Sequence, residues 1–220
     1  MKILAIEFSS DQRSVAALES GNNDSVVLLS LISPKGSRAI QAVTLVENIL
    51  QQAGWDREQI EMIAVGIGPG SYTGIRVAIA FAQGWQLARD IKIVGISSVE
   101  CLAAQAQKKK LFGRINIIID AQRNEFYVAT YEISETLRRE IKPIKIVPFS
   151  EIETRDVNGE IIIGPDSTNW FYGARNLFPH AESLAQLAAS RADFISGEKL
   201  EPIYLRETSF VKAPPARVIL

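Results

Sequence analysis

Residues 2–8 read Lys-Ile-Leu-Ala-Ile-Glu-Phe, apolar without interruption between Lys2 and Glu7, and this run limits the fold more than any other feature. A strand with one face in water alternates apolar and polar side chains, whereas an unbroken run belongs to a strand covered on both faces. The chain must therefore supply layers on each side of its first sheet. Residues 13–18 and 25–32 are further strand candidates, joined by Gly21-Asn22-Asn23-Asp24, types that tolerate the left-handed backbone of a tight turn. The hydrophobic period then changes. Over residues 38–53, Ala39, Ala42, Val43, Val46, Ile49, Leu50 and Ala53 gather on one side of a helical wheel, with Gly54 as the stop. Residues 60–67 return to strand character, 68–74 make a glycine-rich turn, 73–89 are helical and 91–96 form a strand. The order βββαβαβ predicts a meander extended by parallel strands with crossover helices.

A second succession of the same kind fills the remainder. Ser97 and Glu100 have the spacing of a capping box and open a helix that runs to about Lys108. Residues 114–120, 125–133 and 141–147 form another meander with Arg123-Asn124 at a turn, 161–164 make a fourth strand, and 170–177 and 182–192 are short helices. No residue-level repeat links the halves, yet the theme recurs. The expected fold class is α/β, with mixed sheets flanked by helices in two related lobes, residues 1–98 and 99–220. After Pro202, Tyr204 and Leu205 are expected to dock a segment that precedes a loose tail.

The most distinctive stretch is Gly66-Ile67-Gly68-Pro69-Gly70-Ser71-Tyr72-Thr73-Gly74-Ile75-Arg76, between a buried strand and a helix start. Glycines there can aim backbone N–H groups at an anion, which the helix dipole favours; they equally suit a tight strand-to-helix turn capped by Ser71 or Thr73. No Gly-Lys-Ser/Thr closes a P-loop, and the third glycine falls one residue late for a dinucleotide fingerprint. Arg76 opposes the dipole in the first helical turn and so predicts a compensating carboxylate.

The helix that follows is apolar over more of its circumference than one sheet can cover. Thr73, Arg76, Gln83, Gln86 and Arg89 share less than two thirds of the wheel, with Ile75, Ile79 and Ala82 among them. A helix lying on a sheet needs an apolar stripe of roughly 100°, so a second covering surface is implied. Gly74, Ala78 and Ala82 recur four apart and would admit another helix closely, with Trp85 as an aromatic anchor. Together with Ala42, Leu45, Val46 and Ile49 of the preceding helix they form the predicted interface. The covering surface is a protein partner or, alternatively, the other lobe of the same chain.

Composition excludes several classes. With 220 residues, 47% apolar and 22% charged, the chain folds like an ordinary globular protein. Twenty-four basic and 25 acidic residues leave a net charge of -1, so any RNA contact must be local or borrowed from a partner. One cysteine, no signal-peptide pattern at residues 1–4 and no apolar stretch long enough to span a bilayer make the cytoplasm the expected address. His180 and Cys101 are the only residues of their kinds, which leaves no material for a His-ligated zinc site or a hydrolytic triad. No catalytic residue and no metal site are expected. The strand-end acids Glu7, Asp120 and Asp166 suit either Mg²⁺ or turn capping. Lys108-Lys109-Lys110, with Arg114, reads as cations on a helix C-terminus rather than an RNA contact.

Residues 1–10 (Met-Lys-Ile-Leu-Ala-Ile-Glu-Phe-Ser-Ser), the glycine-rich segment with Ala64 and Val65 before it, and Gly95-Ile96-Ser97-Ser98-Val99-Glu100 resemble the TsaB (YeaZ) family, which is needed to make threonylcarbamoyladenosine on tRNA. Residues 120–128, Asp-Ala-Gln-Arg-Asn-Glu-Phe-Tyr-Val, and 202–206, Pro-Ile-Tyr-Leu-Arg, are similar to that family's later signatures. The resemblance implies an actin-like ATPase (ASKHA, ribonuclease H-like) fold of two lobes. It further implies a non-catalytic scaffold that activates TsaD, the homologue that transfers the threonylcarbamoyl group to adenosine 37 of tRNA. A TsaE ATPase would join through the complex, tRNA would be reached indirectly, and no membrane is involved. Pairing in the family uses first-lobe helices, here residues 38–53 and 73–89, and the same surface predicts homodimers in isolation.

Two departures from the family stand out. Glu7 replaces the usual aspartate, and its longer side chain would displace a phosphate-linked Mg²⁺, so ATP or ADP with Mg²⁺ is not expected on the isolated subunit. Gly36-Ser37-Arg38 stands where a histidine often begins the first helix. The alternative function is a small actin-fold kinase or phosphotransferase with Glu7, Ser9, Ser10, Gly68, Gly70, Ser71, Thr73 and Arg76 as a phosphate cradle. A glycoprotease-like (M22) metallopeptidase ranks last, because the metal-binding histidine pair of the catalytic homologue has no counterpart.

Overall fold

The structure is a computed structural model and describes residues 1–20, 26–33, 41–152 and 160–206. Two five-stranded sheets carry the fold. The first comprises β1 (Lys2–Glu7), β2 (Ser14–Ser20), β3 (Val26–Ile32), β4 (Met62–Gly66) and β5 (Lys92–Ile96), in the order β3-β2-β1-β4-β5. The meander pairs antiparallel and β4 and β5 add in parallel. The second comprises β6 (Gly113–Asp120), β7 (Glu125–Ile133), β8 (Arg138–Pro148), β9 (Ile161–Gly164) and β10 (Arg175–Asn176), in the order β10-β9-β6-β7-β8. It repeats the plan: an antiparallel meander with β9 and β10 parallel to β6.

The unbroken apolar run of β1 is explained by burial on both faces. Leu4 and Ile6 meet α1 (Gln41–Ala53) and α2 (Tyr72–Ala88), whereas Ile3 and Ala5 meet Ala181, Leu184, Ala185 and Ala188. These last belong to α4 (Ala181–Ala188), which therefore packs on the first sheet although it was expected with the second half. The later chain stays there too: Ile195 N–H donates to Ile93 O at 2.9 Å, Ile203 N–H to Ile67 O at 2.9 Å, and Leu200 is buried in the first core. The second sheet is covered by α3 (Ser98–Lys108) on one face and by Phe149, Ile152 and Phe171 on the other. Helices α3 and α4 meet between the sheets, where Glu100 pairs with Arg191 at 3.0 Å and Lys108 with Glu182 at 2.6 Å.

Local chemistry accounts for the differences from the expected elements. Ser97 caps α3 by accepting from Val99 N–H at 3.3 Å, but Glu100 does not complete a capping box, because its carboxylate is held by Arg191. Residues 170–177 are not a helix. Gly173 takes φ +83°, and Leu177 N–H donates to Gly164 O at 3.0 Å, which draws the segment out as β10. The turn at Arg123-Asn124 is present, with both residues at φ 60°. Of the two expected anchors, Tyr204 stacks on Tyr72 and accepts from Arg76, whereas Leu205 remains 39% exposed; Leu200 and the Ile203 backbone add to the anchoring. The turn at residues 21–24, the helix start at 38–40 and the tail after Arg206 lie outside the described residues.

Leu184 is completely buried against the first sheet, so Leu184→Ala is expected to lower stability by about 2–5 kcal/mol in urea unfolding. A loss below about 1 kcal/mol would show that α4 does not belong to that core.

Candidate functional site

The glycine-rich turn before α2 is shaped around the end of β1. Ser71 N–H donates to Ser9 O at 2.7 Å. A Cβ on Gly70 would collide with that same oxygen, and a Cβ on Gly74 with Phe8 O. Gly70 also has φ +148°, which L side chains rarely adopt. Ser71 Oγ caps α2 by accepting from Gly74 N–H at 3.3 Å, and Gly68 O accepts from Ser98 N–H at 2.8 Å. Of the two readings of this loop the capped strand-to-helix turn is the one seen, with the Ser71 and Gly74 amides bonded to Ser9 O and Ser71 Oγ. The glycines permit close approach of two backbones.

Glu7 lies beneath this junction and is fully buried. Its carboxylate accepts from Ser9 N–H at 2.7 Å and Ser98 Oγ at 3.4 Å, and Ser98 Oγ also lies 2.8 Å from Ser9 Oγ. Gly66 leaves the room the carboxylate occupies. Burial pushes the Glu7 carboxyl above the ordinary glutamate range, against the opposing pull of the Ser9 and Ser98 hydrogen bonds. Burial, with Glu7 nearby, likewise raises the neighbouring Cys101 thiol.

Ser9, Ser10, Gly70 and Ser71 border a cleft of about 520 Å³ whose other wall includes Asp120, Asp166 and Trp170. Glu7 is absent from its lining, and no lysine or arginine lines it among the described residues. Asp120 caps its turn, accepting from Gln122 N–H at 2.7 Å and Gln122 Nε2 at 2.9 Å. Among the described residues no cluster of three His, Cys, Asp or Glu side chains is arranged to hold a metal. Among the described residues the cleft thus brings no side-chain cation to a polyphosphate, and of its acids Asp120 is already engaged by Gln122. Thr73 is exposed on the helix surface. Arg76 lacks the carboxylate predicted for it; its Nε donates instead to Tyr204 Oη at 3.0 Å, and its guanidinium lies over the Tyr72 ring.

The small-residue stripe of α2 faces inward. Gly74, Ala78 and Ala82 are buried against the helix's own sheet, and Ala42 and Ile49 are equally enclosed, whereas Val46, itself only 2% exposed, lines the groove between α1 and α2. Leu45 and Trp85 are half-buried. One flank of α2 is closed by the chain's own later segment: Gln83 Nε2 donates to Gly197 O at 2.8 Å and Gly197 N–H to Gln86 Oε1 at 2.6 Å. The other flank is open. Between α1 and α2 runs a groove of about 580 Å³ lined by Val43, Phe81, Gly84, Trp85 and Ala88. Val43 is 50% exposed, and Phe81 and Trp85 pack with centroids 5.3 Å apart. Sequence reasoning left Val43, Phe81 and Gly84 out of the interface, although Ala80, Gly84 and Ala88 recur four apart on α2 and were a usable signal.

His180 precedes α4, with Nε2 3.3 Å from Gln12 Oε1, and burial lowers its pKa. Lys108 pairs with Glu182 across α3 and α4.

Two lobes, each an antiparallel meander extended in parallel and flanked by helices, make this an actin-like (ASKHA, ribonuclease H-like) fold. The family described as TsaD, tRNA N6-adenosine threonylcarbamoyltransferase, matches residues 37–170. The tRNA threonylcarbamoyladenosine biosynthesis protein TsaB of Escherichia coli is 27% identical over 99% of this chain and 100% of its own length. TsaB of Bacillus subtilis is 31% identical over 69% of this chain and 64% of its own. YeaZ from Pseudomonas aeruginosa superposes with a TM-score of 0.76 at 25% identity, covering 93% of this chain and 99% of that one. The chain belongs to the TsaB (YeaZ) family. No helix among the described residues is long and apolar enough to cross a membrane.

Folded Glu7 holds its proton more tightly than the unfolded chain does, so stability falls as pH rises from the ordinary glutamate range through the raised value. Glu7→Gln keeps the shape and cannot ionise, and its stability should stay flat across that window. Urea unfolding at a series of pH values checks this; parallel falls in both proteins would assign the pH dependence to other groups.

Proposed function

We propose that this chain acts in threonylcarbamoyladenosine formation on tRNA as a non-catalytic subunit, seating a TsaD-like acyltransferase in the groove between α1 and α2. The carrying observation is that groove: an apolar trough beside a helix whose opposite flank the chain has already covered itself. Phe81 and Trp85 supply a half-buried aromatic anchor, and Gly84 with Ala88 keeps the floor low enough for a helix to approach. Glu47, Arg57, Glu58 and Arg89 give it a charged rim, the usual anatomy of a specific interface. The buried Glu7 and the backbone-filled glycine turn support a helper role rather than chemistry of the chain's own. A TsaE-like ATPase joins through the complex, and in isolation a second copy occupies the groove. The division into lobes at residue 98 belongs to the same reading, with α4 returning to the first lobe.

The second reading, an actin-fold kinase or phosphotransferase, is favoured by the cleft beside Ser9 and Ser71 and opposed by its lack of cations. Calorimetry with ATP and Mg²⁺ separates the two, since tight binding by the isolated protein would support the kinase. Size-exclusion chromatography with light scattering on the mixed proteins tests the leading reading. Absence of a heterodimer, or tRNA modification by the TsaD-like enzyme that proceeds equally without this chain, would refute it.

Gly84 offers a sharper probe, because nothing lies within 4 Å of a Cβ placed there. Gly84→Glu should leave the isolated fold intact or up to about 1 kcal/mol more stable, since glycine is a poor helix former. It should also weaken pairing by about 2 kcal/mol or more, because the added side chain would fill the floor a partner helix must approach and carry a charge into a desolvated interface. Thermal melts and calorimetric titration against the acyltransferase measure the two effects separately.

A further inference from the structure

A second exposed surface, at the start of α2, has a chemistry unlike the groove. Tyr72 and Tyr204 are 56% and 46% exposed and stack with ring centroids 5.7 Å apart at 29°. The Arg76 guanidinium lies 4.2 Å from the Tyr72 centroid and 5.9 Å from that of Tyr204, and its Nε–H donates to Tyr204 Oη at 3.0 Å. Among the described residues no carboxylate pairs with it. Arg206 stands on the same rim, held 2.8 Å from Glu125 Oε2 and donating to Ala121 O at 2.8 Å. Gly70, Ile75, Tyr127 and Ile203 complete a depression of about 420 Å³, and among the described residues no acidic side chain lines it.

We propose that Tyr72, Arg76 and Tyr204 bind an unpaired ribonucleotide of tRNA directly, the base stacking on tyrosine and the phosphate held by Arg76 with Arg206 beside it. This rests on the reading above for the identity of the RNA and replaces an indirect contact with a direct one. Exposed aromatic rings beside a guanidinium that no carboxylate among the described residues neutralises match what single-stranded RNA presents, a π-face and an anion one backbone step apart. A molecule of net charge -1 has no general pull on RNA, so recognition must be concentrated in such a patch. A protein partner is better served by the larger apolar groove. The two surfaces adjoin along one helix: Ala80, Gly84 and Ala88 follow Arg76 at four-residue spacing, so an acyltransferase seated in the groove has the patch at its margin.

Fluorescence anisotropy with a labelled anticodon stem-loop tests this on the isolated chain, with a blunt RNA duplex of equal length for comparison. The stem-loop should bind more tightly than the duplex, and Tyr72→Leu combined with Tyr204→Leu should weaken it about tenfold or more. Arg76→Gln should weaken binding and reduce the salt slope by about one. Tyr172→Leu, at a tyrosine that is 98% exposed elsewhere, should change nothing. Absence of stem-loop binding, equal binding of the duplex, or wild-type affinity in Arg76→Gln would overturn the inference. Should the double variant fail to fold in a thermal melt, Arg76→Gln, whose side chain lies outside the core, decides alone. Acyltransferase pairing measured on the same variants is expected to persist, which separates failure of this contact from failure of the groove.

Discussion

The first lobe depends on how closely two backbones approach at the end of β1. Phe8 and Ser9 press their carbonyls into the glycine turn, where Gly70 and Gly74 present no Cβ to obstruct them and Ser71 donates a hydrogen bond. Glu7 sits beneath and ties the same backbone to Ser98 at the head of α3. A single junction thereby fixes the start of α2, the start of α3 and the lip of the interlobe cleft.

That junction also determines what α2 can offer to others. With Gly74, Ala78 and Ala82 drawn against the sheet, the helix sits low, and its remaining apolar residues divide between two flanks. The segment around Gly197 closes one flank through the amides of Gln83 and Gln86. The other flank is left as a trough with α1, and the Tyr72–Arg76–Tyr204 cluster lies at the start of the same helix. The proposed docking and RNA surfaces are thus two consequences of the same helix placement.

Much of this architecture was legible beforehand. The run from Ile3 to Ile6 announced a strand covered twice, and the boundaries of β7 and β9 were readable to the residue because turn-forming types bracket β-branched runs. Residues 170–177 misled because their apolar spacing is compatible with a helix, whereas the pairing of Leu177 with Gly164 is a long-range bond that periodicity does not record. Glu100 misled for a similar reason: its spacing from Ser97 suits a capping box, but Arg191, 91 residues away, competes for the carboxylate.

For the candidate site the division is sharper. Sequence alone determined that α2 carries more apolar surface than one sheet can cover and that His- or Cys-based chemistry lacks residues, because both follow from residue types and their spacing. Which apolar residues face inward, what fills the glycine turn, and that Arg76 rests on tyrosines rather than a carboxylate were decided by tertiary structure. Each depends on segments far apart in the chain meeting in space, as Arg76 meets Tyr204 across 128 residues, and local patterns carry no information about such meetings.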